Sequence, residues 1–159
     1  PAMAPEAPQP HTIHVNVAAQ SITLRNHEGR AILTVPCSTG AAGTGCTPDS
    51  GQTPTGRFAV CSTHGENAPL STLFKGRIPV GTWEPACKEQ DAILARILCL
   101  DGLEPHNANT RDRFIYIHGT ADTASLGSPV SHGCIRMDPT DIAHFFPLCP
   151  VGTKVFIEA

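Results

Sequence analysis

The stretch "FIYIHGTADTASLGSPVSHGCIRMD", Phe114–Asp138, carries the strongest structural and chemical signals of the chain. It begins as a β-rich apolar run that ends on His118 and Gly119, which predicts a strand with an imidazole at its end. A loop rich in Gly, Ser and Pro follows, and the stretch closes on Ser-His-Gly-Cys-Ile-Arg. In an extended chain, His132, Cys134 and Arg136 point to the same side. The stretch therefore offers a thiol, two imidazoles and a guanidinium as candidates for chemistry.

Three interpretations of Cys134 are open at this level. The first is nucleophilic catalysis, in which the thiolate attacks a carbonyl, a histidine takes its proton and backbone N–H groups receive the oxyanion. The second is a zinc site of His118, His132 and Cys134, although the close ligand pairs of structural zinc sites are absent. The third is a structural cysteine in a disulfide. Residue spacing alone does not decide among them.

Seven cysteines in 159 residues is a high number. Free thiols seldom accumulate in this way in a reducing cytosol, so the count indicates the periplasm or the outside of the cell. The number is also odd, so that six can pair while one stays a reactive thiol. The alternative is that several cysteines are buried and unpaired, acting as small apolar residues.

Composition and charge exclude two classes of partner. The formal net charge is −3 and only 16% of residues are charged, which argues against a nucleic-acid surface. No apolar run has the length of a membrane span. Residues 1–10 are rich in proline and predict a tether with little part in the fold, at the start of a mature or trimmed chain whose signal peptide has been removed. Residues 11–159 have the size of one domain.

The hydrophobic pattern predicts a mainly β fold with short helices, of the β-rich α+β class. "HTIHVNVAAQSITLRN" alternates like a hairpin of two half-buried strands. Further strands are expected in four runs: "GRAILTVPCSTG", "RFAVCST", "RFIYIHG" and "GTKVFIE". "DPTDIAHFFPLC" predicts a short helix with an Asp cap, a proline in its first turn and a proline as its stop. "KEQDAILARILCL" favours a helix of three turns, with a change to strand as the alternative. The segments around residues 41–56 and 62–88 are expected to be loops.

The run from Ile117 to Ile157 resembles the signature of the L,D-transpeptidase (YkuD) catalytic domain, the family of peptidoglycan cross-linking cysteine enzymes. The shared pattern is His-Gly-Thr at a strand end, a glycine-containing loop and Ser-His-Gly-Cys-x-Arg, then a short helix and a closing "GTKVFI" strand. Upstream, "TPTGRF" is similar to a TPxGxF element of the family. "APLSTLFKGRIPVG" and "RILCLDGLEPHNANTRDRFIYIHGT" resemble a proteobacterial branch of it. The resemblance covers about residues 11–159. It implies a sandwich or barrel of mixed strands with a short helix after the catalytic cysteine.

The resemblance also implies a role for each residue that matches the motif. Cys134 matches the nucleophile and His118 the general base, whose ring would be oriented by the Gly119 carbonyl. The N–H groups of His132, Gly133 and Cys134 would form an oxyanion hole. His132 is also implied to take part in catalysis. Ser131, Arg136 and Thr120 would support the turn or the substrate.

The implied reaction is acyl transfer without metal or cofactor. Cys134 would attack the diaminoacid–D-alanine bond of a peptidoglycan tetrapeptide stem, release D-alanine and pass the acyl group to an amine, giving a 3→3 cross-link. Carbapenems are implied covalent inhibitors, and the implied location is the periplasm. Alternatives are an L,D-carboxypeptidase, D-amino-acid exchange, lipoprotein anchoring, an amidase variant, or an inactive cell-wall-binding module.

The remaining cysteines are where the chain departs from the family. They resemble added disulfides, and the pairs expected are Cys37 with Cys46, Cys87 with Cys99, and Cys61 with Cys149.

Overall fold

The computed structural model describes residues 10–86 and 92–159. Within these ranges the chain forms ten strands, one α-helix and three short 3₁₀ turns. The strands are β1 (Thr12–Asn16), β2 (Ser21–Arg25), β3 (Ala31–Pro36), β4 (Gly56–His64), β5 (Thr72–Lys75), β6 (Ile78–Thr82), β7 (Ile93–Gly102), β8 (Tyr116–Gly119), β9 (Ile135–Met137) and β10 (Lys154–Glu158). The helix is α1 (Pro139–Phe145), and the 3₁₀ turns are Pro105–Asn107, Thr123–Ser125 and Phe146–Leu148. The predicted tether falls, except for its last residue, outside the described ranges.

All the strands belong to one curled mixed sheet. Its main path runs β3-β2-β1-β10-β4-β7-β5-β6, and β8 leaves this path to pair with β7 and with β9. The β1–β10 and β8–β9 pairs are parallel, and the others are antiparallel. The mainly β class with one short helix is confirmed, and so are the hairpin of β1 and β2 and the closing strand β10.

The sheet buries a large core on one face and a small cluster on the other. The alternation of Ile13 and Val15 in β1 with Ile22 and Leu24 in β2 places all four in the large core. The small cluster consists of Phe74, Ile97, Cys99 and Tyr116, with Cys61, Ile93 and Cys134 packed against it. The candidate nucleophile therefore lies on the face opposite the large core.

The helix favoured for "KEQDAILARILCL" is wrong from Ile93 onward, because this segment is the central strand β7. Side chains 97 to 100 alternate between the small cluster and the large core, so both faces of the strand are apolar. A bulge at Ala95, whose φ is +72°, shifts the register toward β8. Burial on both faces and the bulge together mimic the apolar spacing of a helix.

The predicted loop at 62–88 is also wrong over most of its described length. Strand β4 continues to His64, and β5 and β6 form a hairpin that pairs with β7 through Leu73 and Phe74. Every residue of β6 is exposed, so this edge strand lacks the apolar alternation that predicts a strand.

The helix after the candidate nucleophile begins as predicted. The Asp138 carboxylate caps it by accepting a 2.8 Å hydrogen bond from the Thr140 N–H, and Pro139 occupies the first turn. In the described ranges, no helix has the length and apolar character needed to cross a membrane.

Two of the predicted disulfides are absent, since Cys37, Cys46, Cys61 and Cys149 are free thiols. Cys37 points into the large core, whereas Cys46 lies in a loop held against Asn109. Cys61 and Cys149 lie in the two different apolar clusters, on opposite faces of the sheet. Cys99 is free as well, and its predicted partner Cys87 is outside the described residues. Burial of Cys37 and Cys149 matches the alternative of cysteines acting as apolar residues.

Candidate active site

Cys134 sits directly before β9, beside the start of β8. The parallel register pairs Ile117 with Ile135, so Cys134 lies level with Tyr116. The Tyr116 N–H donates to the Cys134 Sγ at 3.3 Å, and the Cys134 S–H donates to the Phe114 carbonyl at 3.3 Å. The sulfur is thus fixed between two main-chain groups of the chain entering β8.

Burial of the sulfur raises the pKa of the Cys134 thiol to about 11. The Tyr116 N–H bond and the Arg136 guanidinium act in the opposite direction, because each stabilises the thiolate. Their effect is the smaller one, so the resting thiol is neutral at physiological pH. Nucleophilic attack from this state requires a base that removes the proton.

His118 is placed on the same face of the sheet as Cys134. Ile117 points into the large core, so its neighbours Tyr116 and His118 point to the opposite face, where Cys134 packs against the small cluster. The His118 ring is buried and its Nδ1 lies 2.7 Å from the Gly119 carbonyl. Because a carbonyl only accepts, Nδ1 carries the proton and Nε2 is left as the basic nitrogen.

Gly119 supplies the orienting carbonyl and also needs to be small. A Cβ at this position would lie 2.5 Å from the Leu94 carbonyl oxygen of β7. The next residue, Thr120, is fully buried, and its N–H donates to the Met137 carbonyl at 2.9 Å. Its hydroxyl accepts a bond from the Asp122 N–H, so Thr120 stabilises the loop after β8.

The turn that carries Cys134 is organised by Ser131. The Ser131 hydroxyl donates to the Cys134 carbonyl at 2.6 Å and accepts from the Gly133 N–H at 3.1 Å. The family resemblance places Gly133 among the oxyanion donors, and in this structure its N–H donates to the Ser131 hydroxyl. Gly133 also provides the backbone conformation of the turn, with a φ of +120°.

Thr53 is a site residue that sequence analysis did not identify. Its buried hydroxyl donates to the Gly133 carbonyl at 2.9 Å and accepts from the Gly40 N–H at 2.8 Å. Thr53 thereby joins its own loop and the loop at Gly40 to the turn 131–134, which carries Cys134. Its position in "TPTGRF" is the only sequence signal that singles it out.

Arg136 and His132, which were also predicted for the site, differ in burial. Arg136 is buried, with its backbone exchanging two hydrogen bonds with Ser38, and its guanidinium is close enough to stabilise the Cys134 thiolate. His132 is exposed and lines a cavity of about 820 Å³. Across residues 10–86 and 92–159, no group of three His, Cys, Asp or Glu side chains is arranged to hold a metal ion.

Two cavities lie on either side of the turn that carries Cys134, and Phe114 lines both of them. The first is the cavity at His132, and the second, of about 520 Å³, contains Cys134, Tyr116 and the β5–β6 turn from Lys75 to Ile78. Phe114 is 63% exposed and has a φ of +57°, so its ring stands out between them. The thiol is therefore approached through a partly apolar cleft with cationic side chains at its rim.

The profile of the YkuD L,D-transpeptidase catalytic domain matches residues 10–157. The chain belongs to this family. A Bacillus subtilis protein named as an L,D-transpeptidase, YqjB, is 48% identical over 48 residues, which is 30% of this chain and 27% of YqjB.

Solved L,D-transpeptidases share the fold of this family member. The Xylanimonas cellulosilytica enzyme superposes with a TM-score of 0.62 at 17% identity, over 97% of this chain and 63% of that one. The structure of LdtMt1 in complex with imipenem gives a TM-score of 0.59 at 22% identity, over 94% and 59% of the two chains. The chain thus spans about three-fifths of the solved structures that it matches.

Proposed function

We propose that the chain is a peptidoglycan L,D-transpeptidase in which Cys134 is the nucleophile and His118 the general base. The observation that carries the proposal is the fixed pair of main-chain contacts at the Cys134 sulfur, on the face of the sheet to which His118 also points, with its Nδ1 held by the Gly119 carbonyl. Family membership supports the reaction class. Export to the periplasm belongs to the same proposal, because peptidoglycan stems are found there.

In the first half-reaction, His118 takes the Cys134 proton as the sulfur attacks the carbonyl of the third stem residue. The N–H groups proposed for the oxyanion hole are those of His132, Gly133 and Cys134, and that of Gly133 also donates to the Ser131 hydroxyl at rest. The tetrahedral intermediate collapses as protonated His118 returns the proton to the leaving nitrogen. D-Alanine departs and a thioester remains on Cys134.

In the second half-reaction, an acceptor amine attacks the thioester carbonyl. His118 removes the amine proton, and the departing Cys134 sulfur receives it when the new amide forms. Water as acceptor would give a free tripeptide instead, by the same two steps. No bound metal or cofactor is needed to balance either half-reaction.

The test is incubation with disaccharide-tetrapeptides followed by mass spectrometry of the products. A dimer formed with loss of D-alanine supports transpeptidation, and free tripeptide alone identifies a carboxypeptidase. Cys134→Ala is the matched variant and should form neither. The absence of turnover by the wild type would contradict the whole assignment.

A carbapenem adduct tests the nucleophile separately from the substrate. LdtMt1 is described in complex with imipenem. We expect imipenem to add one covalent adduct to the wild type and none to Cys134→Ala, as read from intact mass. An adduct on the variant would place the reactive group elsewhere.

A further inference from the structure

Two further cysteines, Cys61 on β4 and Cys99 on β7, lie close to each other and apart from Cys134. Between β4 and β7, Val60 pairs with Leu100 and Ser62 with Cys99, which leaves Cys61 as the extra residue of a β-bulge. In such a bulge two residues oppose one on the partner strand. Cys61 is therefore next to Cys99, and its S–H donates to the Cys99 carbonyl at 3.4 Å.

Both thiols are on the same face of the sheet. Cys99 belongs to the small apolar cluster and Cys61 packs against it. Both line a cavity of about 240 Å³; Cys61 is partly exposed, while Cys99 is 4% exposed. Neighbouring strands hold opposed Cα atoms about 4.5–5.5 Å apart, within the range that a disulfide spans.

Cationic side chains adjoin the pair. Burial raises the pKa of Cys99. A hydrogen bond with Ser62 and, to a smaller extent, the guanidiniums of Arg77 and Arg111, which line the same cavity, act against this rise. A nearby guanidinium stabilises a thiolate, the form that attacks a disulfide.

Cys134 is badly placed to compete for either sulfur. Cys99 on β7 pairs with Tyr116 on β8, and Cys134 follows on the far side of β8 at the start of β9. Two strand spacings amount to about 9.6 Å, which exceeds the Cα separation that a disulfide tolerates. The nucleophile is thus separated from the pair by one strand.

We propose that Cys61 and Cys99 form an intramolecular dithiol–disulfide couple, distinct from Cys134. The oxidant is a disulfide of the glutathione class. The thiolate of Cys61, the more exposed of the two cysteines, attacks one of its sulfurs and releases one thiolate, giving a mixed disulfide. The Cys99 thiolate then attacks the Cys61 sulfur and releases the second. The two protons of the protein thiols pass to the two released thiolates, which become thiols, and the protein loses two electrons.

The bond would close a loop that contains the β5–β6 hairpin. That hairpin contributes Lys75 to Ile78 to the cavity at Cys134. Oxidation therefore links β4 and β7, the strands at the two ends of the segment that contains this hairpin. It does so without using the Cys134 thiol. The inference is independent of the proposed acyl transfer, because it concerns other sulfurs.

The experiment uses reduced Cys134→Ala protein incubated with a glutathione redox buffer, then alkylated and digested with trypsin. Peptides 58–75 and 97–111 each contain a single cysteine, Cys61 and Cys99. We expect one cross-linked species of these two peptides. In a sample taken before alkylation, the intact mass should be lower by about 2 Da than that of the reduced protein, the two hydrogens lost. Wild-type protein should give the same cross-link, which guards against a folding defect of the variant.

The control variants separate this pair from the other thiols. Cys61→Ser and Cys99→Ser should each abolish the cross-link, whereas Cys46→Ser should retain it. The proposal is overturned by a stable glutathione adduct on Cys61, by a cross-link from 97–111 to the Cys87 peptide 78–88, or by both thiols staying free.

Discussion

The N–H of Tyr116 donates a 3.3 Å hydrogen bond to the sulfur of Cys134, so the first residue of β8 holds the thiol that precedes β9. Two residues later the same strand presents His118. The proposed base and the proposed nucleophile are therefore both positioned by a single short strand, and changes in how β8 is held should alter both.

The neutral thiol of Cys134 should make its alkylation strongly dependent on pH. Since the pKa of Cys134 is raised to about 11, the thiolate fraction grows about tenfold per pH unit between pH 7 and 10. We expect iodoacetamide labelling of the Cys134 peptide to accelerate accordingly, with no plateau below pH 10. Peptide-resolved mass spectrometry measures the rate, and a plateau near pH 7 would indicate a preformed thiolate–imidazolium pair instead.

Ser131→Ala should loosen the catalytic turn. The substitution removes the hydroxyl that bonds both the Cys134 carbonyl and the Gly133 N–H. We expect a loss of about 1–2 kcal/mol in the free energy of unfolding, with slower acylation by imipenem. Urea unfolding and adduct formation measure the two effects. Ser128→Ala, at an exposed position of the same loop, is the control and should change neither.

Thr53→Val should destabilise the same turn from the opposite side. The variant keeps the shape but leaves the buried Gly40 N–H and the Gly133 carbonyl without their shared partner. We expect a cost of about 2 kcal/mol in urea unfolding, because both groups stay buried. Thr55→Val, in the same segment, is the matched comparison. An equal cost for both variants would show that the Thr53 bonds are not responsible.

Much of the fold could be predicted because it follows simple periodicity. β1 and β2 alternate cleanly, and α1 is marked by Asp138 and by the prolines at 139 and 147. Strand β7 could not be recognised, since residues buried on both faces and a bulge at Ala95 erase the period of two. The edge strand β6 was not predicted for the opposite reason: none of its residues is buried, so its sequence shows no apolar alternation.

The residues proposed for the chemistry stand in motifs that the sequence displays, whereas much of their support comes from segments that the sequence does not single out. Cys134, His118 and Ser131 are adjacent in motifs that can be quoted from the sequence. The contacts from Thr53, Phe114 and Tyr116 come through main-chain atoms or one hydroxyl from other segments. A backbone group leaves no trace in residue type, so only the fold reveals it.

Gly119→Ala should be poorly tolerated despite the small change. The added methyl would lie 2.5 Å from the Leu94 carbonyl and push β8 away from β7. We expect a loss of about 1–3 kcal/mol in stability together with reduced acylation, because the carbonyl that orients His118 must shift. Gly81→Ala, where a methyl meets no atom within 4 Å, should be neutral in both assays. Equal behaviour of the two variants would contradict the packing argument.

The buried thiols of Cys37 and Cys149 should make the protein less stable in alkali. Burial raises the pKa of each from 9.0 to about 12. A raised pKa in the folded state favours the protonated form, so this stability is complete below pH 9 and is lost as the pH rises from 9 toward 12. At pH 10 the loss is about 1.4 kcal/mol for each cysteine in the free energy of unfolding, relative to pH 7.

Urea unfolding at pH 7 and pH 10 measures this difference, with reductant present to exclude disulfides. Cys37→Ala and Cys149→Ala should each be less stable than the wild type at pH 7, because each leaves a small cavity in the core. Each should nevertheless lose less stability between the two pH values, by about 1.4 kcal/mol. Ser128→Ala, which removes no thiol, should keep the wild-type pH dependence. An unchanged dependence in both core variants would show that these thiols do not ionise on unfolding as their burial requires.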